Sequence, residues 1–375
     1  MYKIMTAGPT QVKENVRMAR SIETTNPDLD PAFFDFYKET CDILQELLHS
    51  SGPAYILSGE GILGLEAACA SLTEPGDRVL VLDNGIFGKG FADFVNIYGG
   101  EPVLFTSDYQ KPIDAGELKA FLDKDSDFKY ATVVHCDTPS GIINDVSKIC
   151  PLLAEYGILS VVDSVAGMFG EYVNVDESKI DILCGGSQKA LSAPAGLTML
   201  WVSEKALATM ENRKTPIASF YANILTFKTY YEDQWFPYTM PISDIHGLRA
   251  AVDNVKAEPD IIDRHAKIAA ATRAAVEKAG LKLYLKAGFS NTVTVIEVPE
   301  GVTDAQILST LRDKYGILIS GCFDVLAGKV VRIGHMGENA RVEEMVATLD
   351  ALDKTFADIG YPLTCSMKEE FLKLI

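Results

Sequence analysis

At 375 residues the chain is long enough for two domains with sizeable cores, and its 47% apolar and 23% charged residues are those of a water-soluble globular protein. A net charge of −18 argues against a phosphate-backbone partner, which needs a basic footprint; no apolar run reaches membrane-span length, and Met1 to Pro9 lacks the regions of a signal peptide, so a cytoplasmic protein is expected. Seven scattered cysteines, odd in number and without a CxxC, suggest neither a disulfide framework nor a zinc site.

Residues Met1 to Thr10 end in Thr6-Ala7-Gly8-Pro9-Thr10 and read as an arm, followed by a short helix over Val12 to Arg20. Phe33, Phe36, Tyr37, Cys41, Leu44, Leu47 and Leu48 recur at helical spacing, which predicts an amphipathic helix from Phe33 to Ser50. A short strand, Ala54 to Leu57, leads into Ser58-Gly59-Glu60-Gly61-Ile62-Leu63-Gly64 and a helix over Leu65 to Leu72. Gly59, Gly61 and Gly64 match the GxGxxG pattern of dinucleotide-binding folds, but the chain does not begin with the βαβ unit that carries that fingerprint. What remains is a glycine loop at a helix N-terminus, which offers free N–H groups to a phosphate.

Strand Arg78 to Leu82, loop Asp83 to Gly88, helix Gly90 to Tyr98, strand Glu101 to Phe105, helix Asp114 to Lys124 and strand Tyr130 to His135 then alternate. This rhythm predicts a mostly parallel sheet covered by helices. His135-Cys136-Asp137-Thr138-Pro139-Ser140-Gly141 is a turn beyond a strand's C-terminal end, where open α/β sheets bind ligands; His135 itself reads as a capping or packing residue. After helix Val146 to Tyr156, the run Leu159 to Val165 puts Asp163 at the end of an apolar strand, a costly place for a carboxylate without a partner. The plainer reading of Asp163 is a cap or turn residue.

Strand Ile180 to Cys184 is followed by Gly185-Gly186, read as a sharp turn that presents Ser187, Gln188 and Lys189. A lysine held there can form a Schiff base if burial or a neighbouring cation lowers its pKa; the alternative is a surface lysine in a glycine-rich loop. Strand Leu197 to Val202 follows, then an aromatic run from Phe220 to Tyr238 that reads first as a packed surface or subunit interface. A helix starts after Pro241, and a long one over Pro259 to Ala279 reads as a connection to a small α+β domain. Its predicted strands are Leu281 to Leu285, Thr292 to Val298, Ile317 to Ser320 and Val330 to Ile333, its helices Asp304 to Lys314 and Arg341 to Phe356. Cys365 to Ile375 is an amphipathic tail without a clear role, and the division expected is an arm over 1–14, a large domain over 15–258 and a small one over 259–375.

The glycine loop, the strand-end aspartate, the lysine turn and the small C-terminal domain together resemble the fold-type I pyridoxal-phosphate enzymes. Within them the likeness is to class V aminotransferases of the alanine–glyoxylate and serine–pyruvate type. It runs from Ala7-Gly8-Pro9-Thr10 to Arg332-Ile333-Gly334 and is carried by Val162-Asp163-Ser164-Val165-Ala166 and Gly186-Ser187-Gln188-Lys189-Ala190-Leu191. The resemblance implies an α/β fold, a large domain with a mostly parallel seven-stranded sheet plus a smaller C-terminal α+β domain. It also implies pyridoxal 5'-phosphate as cofactor, a small amino acid (alanine or serine) and a 2-oxo acid (pyruvate or glyoxylate) as substrates, no metal, and a homodimer with shared active sites.

Carried onto this sequence, Lys189 would hold the cofactor as a Schiff base and then move the proton, and Asp163 would pair with the pyridine nitrogen. Backbone N–H groups of Glu60, Gly61 and Ile62, with the side chain of Gln188, would bind the phosphate; Phe87 would stack on the ring, with Thr138 near its oxygen and Val165 beside it. Thr239 would reach the phosphate in the neighbouring subunit, and Arg332, with Gly8 nearby, would take the substrate carboxylate. Two residues depart from the pattern. Glu60 stands where relatives have a small residue and would repel a phosphate unless it points away, and Phe236 replaces a tyrosine. The remaining alternatives are an aspartate or 2-aminoethylphosphonate transaminase, or a lyase or desulfurase on the same cofactor; a desulfurase would need a reactive cysteine and a histidine where Phe87 stands.

Overall fold

The computed structural model describes residues 2–375. In chain order the strands are β1 (Lys3–Ile4), β2 (Ala54–Ser58), β3 (Arg78–Asp83), β4 (Glu101–Thr106), β5 (Tyr130–Val134), β6 (Cys136–Asp137), β7 (Ile142–Ile143), β8 (Leu159–Asp163), β9 (Ile182–Gly186), β10 (Leu197–Val202), β11 (Val293–Glu297), β12 (Ile317–Leu318) and β13 (Val330–Gly334). The helices are α1 (Glu14–Ala19), α2 (Pro31–Leu47), α3 (Gly61–Leu72), α4 (Ile86–Ile97), α5 (Ala115–Leu122), α6 (Val146–Glu155), α7 (Glu204–Glu211), α8 (Ile242–Lys256), α9 (Ile261–Lys278), α10 (Asp304–Tyr315), α11 (Val342–Asp358) and α12 (Met367–Leu372). Among the described residues no helix is long and apolar enough to cross a membrane.

Seven strands form the main sheet in the order β2-β10-β9-β8-β5-β3-β4. From β4 to β9 the neighbours pair in parallel, whereas β10 is antiparallel to both β9 and β2. Strands β5, β8, β9 and β10 are buried along their whole length, as sheets covered on both faces require, and this is why the sequence carries them as near-unbroken apolar runs. Helix α2 starts where Asp30 accepts the Ala32 N–H and Pro31 fills the first turn. Its buried face then reaches the sheet, where the Tyr37 hydroxyl donates to the Ile56 carbonyl of β2 at 2.7 Å.

One hydrophobic core surrounds this sheet; a second gathers Ile268 and Ala275 of α9, Val331 of β13, Leu349 and Leu352 of α11, and Met367 and Phe371 of α12. The C-terminal tail therefore has a structural place. So does the N-terminal arm: β1 pairs in parallel with β12 and delivers Met5 into the second core.

Three sequence expectations need correction. Gly185 and Gly186 do not turn the chain; they are the last residues of β9, in register with Met199 and Thr198 of β10. They are small because a Cβ on Gly185 would lie 2.6 Å from Met168 Cε and one on Gly186 2.9 Å from Val165 Cγ1. Leu281 to Leu285 is not a strand but makes one bridge, Leu283 to Ile296, because the chain beyond it is drawn away when Lys286 donates to the Gln110 carbonyl at 3.2 Å. The aromatic run is not one surface: Phe227, Tyr230 and Phe236 are buried within the protomer, and Phe236 stacks on Phe34 at 4.6 Å, while Phe220, Tyr221 and Trp235 remain exposed.

Candidate active site

The C-terminal ends of five strands feed one cavity of about 200 Å³: β2 leads to Glu60 and Ile62, β3 to Phe87, β5 to Thr138, β8 to Asp163 and Val165, and β9 to Gln188 and Lys189. Asp163 is the last residue of β8 and is 5% exposed, and its Oδ1 accepts the Val165 N–H at 2.9 Å. Burial pushes its carboxyl up to about 7, against the pull of the Val165 N–H and the Lys189 ammonium. Burial also lowers the pKa of Lys189, with Asp163 opposing, so more of the amine is unprotonated and nucleophilic near neutrality. A ring that brings an N–H⁺ to Asp163 and an aldehyde to Lys189 would satisfy both groups.

The N-terminal arm holds the lysine turn. Thr10 donates its N–H to the Gln188 carbonyl at 3.0 Å and its hydroxyl to the Lys189 carbonyl at 3.0 Å, and Lys189 Nζ donates to the Ala7 carbonyl at 2.7 Å. Gly8, at φ +104°, passes so close that a Cβ there would lie 2.5 Å from Lys189 Nζ. Sequence reasoning placed Gly8 near the substrate but missed the Thr10 clamp.

At the N-terminus of α3 two of the four donors expected for a phosphate, the Ile62 N–H and the Gln188 amide, are already engaged. Glu60 is the N-cap; its Oε1 accepts the Ile62 N–H at 3.0 Å and its Oε2 accepts from Gln188 Nε2 at 3.0 Å. The carboxylate does not point away. Because an ionised carboxylate only accepts, the amide nitrogen of Gln188 must face it, which leaves Gln188 Oε1 buried without a partner. Gly61 packs behind this cup, where a Cβ would lie 2.8 Å from Val165 Cγ2. The residues present fit a pyridoxal ring at Asp163, Lys189 and Phe87, and at α3 they set the Glu60 carboxylate on two of the groups that a 5′-phosphate would use.

Arg332 and Thr239 lie outside the cavity wall. Arg332, in the centre of β13, is 8% exposed and donates Nε to the Gly321 carbonyl at 2.8 Å and Nη1 to the Thr138 carbonyl at 3.1 Å; Nη2 has no hydrogen-bond partner among the described residues. The guanidinium is thus oriented by two carbonyls with one edge to spare. Thr239 is exposed and donates to Asp28 Oδ2 at 3.1 Å. Cys136 does reach the cavity, yet burial pushes its thiol up to about 12 and it donates to Ser290 Oγ at 3.1 Å, so it supplies no thiolate for desulfurase chemistry.

The raised pKa of Asp163 has a stability consequence. A carboxyl whose folded pKa is about 7 against an unfolded value of 3.8 costs nothing below pH 3.8, and its full penalty is present above pH 7. In ligand-free protein, Asp163→Asn is therefore expected to melt a few degrees above the parent at pH 8, with the gap closing at pH 4.5. Thermal denaturation at the two pH values checks this, and an unchanged gap would remove the buried charge as its cause.

The sequence matches the family described as "Aminotransferase class-V" over residues 55–351. It is 36% identical over 353 residues to a pyridoxamine–pyruvate transaminase of Mesorhizobium japonicum, covering 93% of this chain and 90% of that protein. It is 33% identical over 362 residues to an uncharacterised aminotransferase of Methanocaldococcus jannaschii, covering 96% and 93%. Among solved structures, the ureidoglycine–glyoxylate aminotransferase of Bacillus subtilis superposes with a TM-score of 0.96 at 29% identity, over 100% of this chain and 98% of that one. With the main sheet and lysine turn described above, these matches show that the chain belongs to the class V aminotransferases, pyridoxal-phosphate-dependent enzymes of fold type I that transfer amino groups with acceptors of the pyruvate and glyoxylate type.

Proposed function

We propose that this enzyme interconverts alanine and pyruvate and that the pyridoxyl compound taking part is the unphosphorylated one, so that pyridoxamine and pyruvate give pyridoxal and alanine. The observation that carries this is Glu60, whose carboxylate holds the Ile62 N–H and the Gln188 amide where a 5′-phosphate would need them. A 5′-hydroxymethyl group can donate to a carboxylate; a phosphate dianion cannot. The relative that acts on pyridoxamine supports the same choice.

In this reading Asp163 holds the protonated ring nitrogen, Phe87 covers one ring face, and Lys189 binds the aldehyde and then carries the proton between the amino acid's Cα and the pyridoxyl C4′. Arg332 takes the single carboxylate of alanine or pyruvate. Such substrates leave no second anion buried and unpaired, whereas aspartate would bring one. The enzyme acts as a homodimer, with the exposed Phe220, Tyr221 and Trp235 facing a second copy and Thr239 on the same segment.

A second reading keeps a resident phosphate cofactor, with alanine or serine donating to pyruvate or glyoxylate. It is favoured by the exposure of Glu60, which leaves the side chain room to swing out of the cup. Steady-state assays separate the two. Pyridoxamine with pyruvate should turn over without added pyridoxal phosphate, and alanine and pyridoxal should appear in equal amounts. Turnover only after loading with pyridoxal phosphate would overturn the first reading.

A further inference from the structure

Helix α4 begins without a cap of its own. Its N-cap residue is Gly85, which has no side chain to offer, yet the first turn carries Phe87. The missing acceptor comes from 50 residues further along the chain: Asp137 Oδ1 accepts the Phe87 N–H at 3.1 Å. The carboxylate is wholly buried, and its Oδ2 accepts the Ser140 hydroxyl at 2.6 Å and the Ser140 N–H at 3.2 Å. Gly85 and Asp137 are shaped for each other, since a Cβ on Gly85 would lie 2.6 Å from Asp137 Cγ.

The same carboxylate also bears on the other side of the site. Asp137 closes the tight turn to Gly141, whose N–H donates to the Asp137 carbonyl at 2.7 Å, and that turn presents Thr138. The Thr138 carbonyl in turn accepts from Arg332 Nη1 at 3.1 Å, and the Asp137 charge and the guanidinium attract one another. One buried side chain thus joins the ring-covering residue to the carbonyl that aims the arginine.

We propose that Asp137 is a positioning residue that fixes Phe87 and, through Thr138, Arg332 in one geometry, so that the ring plane and the substrate carboxylate are held in a set relation. The inference rests on the roles given to Phe87 and Arg332 in the proposed function, but not on whether the pyridoxyl group is phosphorylated. It assigns Asp137 no contact with substrate. Its loss should appear as poor alignment, not as loss of the reacting lysine.

Two isolated changes approach the contact from opposite sides. Asp137→Asn keeps the size but cannot accept from both Phe87 and the Ser140 N–H, and Gly85→Ala pushes the carboxylate aside. Each is measured with pyridoxal and, in parallel, with pyridoxal phosphate, reading the visible circular dichroism of the lysine-bound ring, KM for pyruvate, kcat and melting temperature. The expected result is a dichroic band reduced to half or less and a KM for pyruvate raised about tenfold, with borohydride still fixing the ring on Lys189. A parental band and KM in both variants, or a fall in melting temperature alone, would overturn the positioning role. Wild-type signal from pyridoxal phosphate but none from pyridoxal would instead overturn the unphosphorylated reading, and the Asp137 comparison is then read with the phosphate.

Discussion

Lys189→Ala is expected to lower transamination by about 10⁴-fold while the protein stays folded. Two functions are lost together, the covalent hold on the aldehyde and the proton transfer at C4′, and they share one amine, so no other group replaces either. The side chain is largely buried and, among the described residues, its only hydrogen bond is to the Ala7 carbonyl, so its removal relieves an ammonium desolvation cost and leaves one carbonyl short of a donor. The melting temperature should therefore change little. Borohydride reduction in the presence of pyridoxal, followed by peptide mapping, provides the direct check: the parent carries the adduct on Lys189 and the variant carries none. A variant that still turns over within tenfold of the parent would remove Lys189 from the chemistry.

The parts of this site that could be read from the sequence are those where a local pattern meets a charge. Asp163 ends an apolar strand and Lys189 follows another, and a charge closing a buried strand is conspicuous on the page because burial is costly without a partner. The alternation of strands and helices is legible for a similar reason, since β5, β8 and β9 are buried on both faces and are written mostly with apolar and small residues. Other features depended on neighbours far away in sequence. Glycines that turn a chain and glycines that make room look alike, and only Met168 and Val165 show that Gly185 and Gly186 are of the second kind. Asp137 sat in a turn already marked as ligand-facing, but the N–H it caps belongs to a helix 50 residues away, and a cap across that distance leaves no spacing to find. Phe236 reads from the sequence as part of a packed surface or subunit interface, because nothing nearby in the chain reveals Phe34 stacked on it within the same protomer.

Glu60 falls between these cases: the sequence showed a carboxylate out of place, and the structure shows which way it points. With Glu60 in the cup a phosphate dianion meets a like charge, and even at the high effective dielectric of an exposed site each unit-charge contact costs about 1 to 4 kcal/mol. It also finds the Ile62 N–H and the Gln188 amide occupied, and hydrogen bonds to a charged group are worth roughly 1.5 to 3 kcal/mol each. Glu60→Ser removes the charge and frees the Gln188 amide, and the short neutral hydroxyl can cap α3 when the cup is empty and give up the Ile62 N–H to a phosphate. The ratio of affinities for pyridoxal phosphate over pyridoxal is therefore expected to rise by at least about 100-fold in Glu60→Ser, with Glu60→Gln, which keeps the acceptor but not the charge, falling between. Spectral titration of each protein with both compounds measures the ratio without relying on turnover. If the parent already binds pyridoxal phosphate more tightly than pyridoxal and Glu60→Ser alters that ratio less than threefold, the carboxylate does not guard the cup. The salt dependence gives a second, independent sign: electrostatic exclusion by Glu60 is screened at high ionic strength, so the parent's discrimination should weaken between 0.01 and 1 M salt, where the Debye length falls from about 30 to 3 Å, whereas that of Glu60→Ser should not.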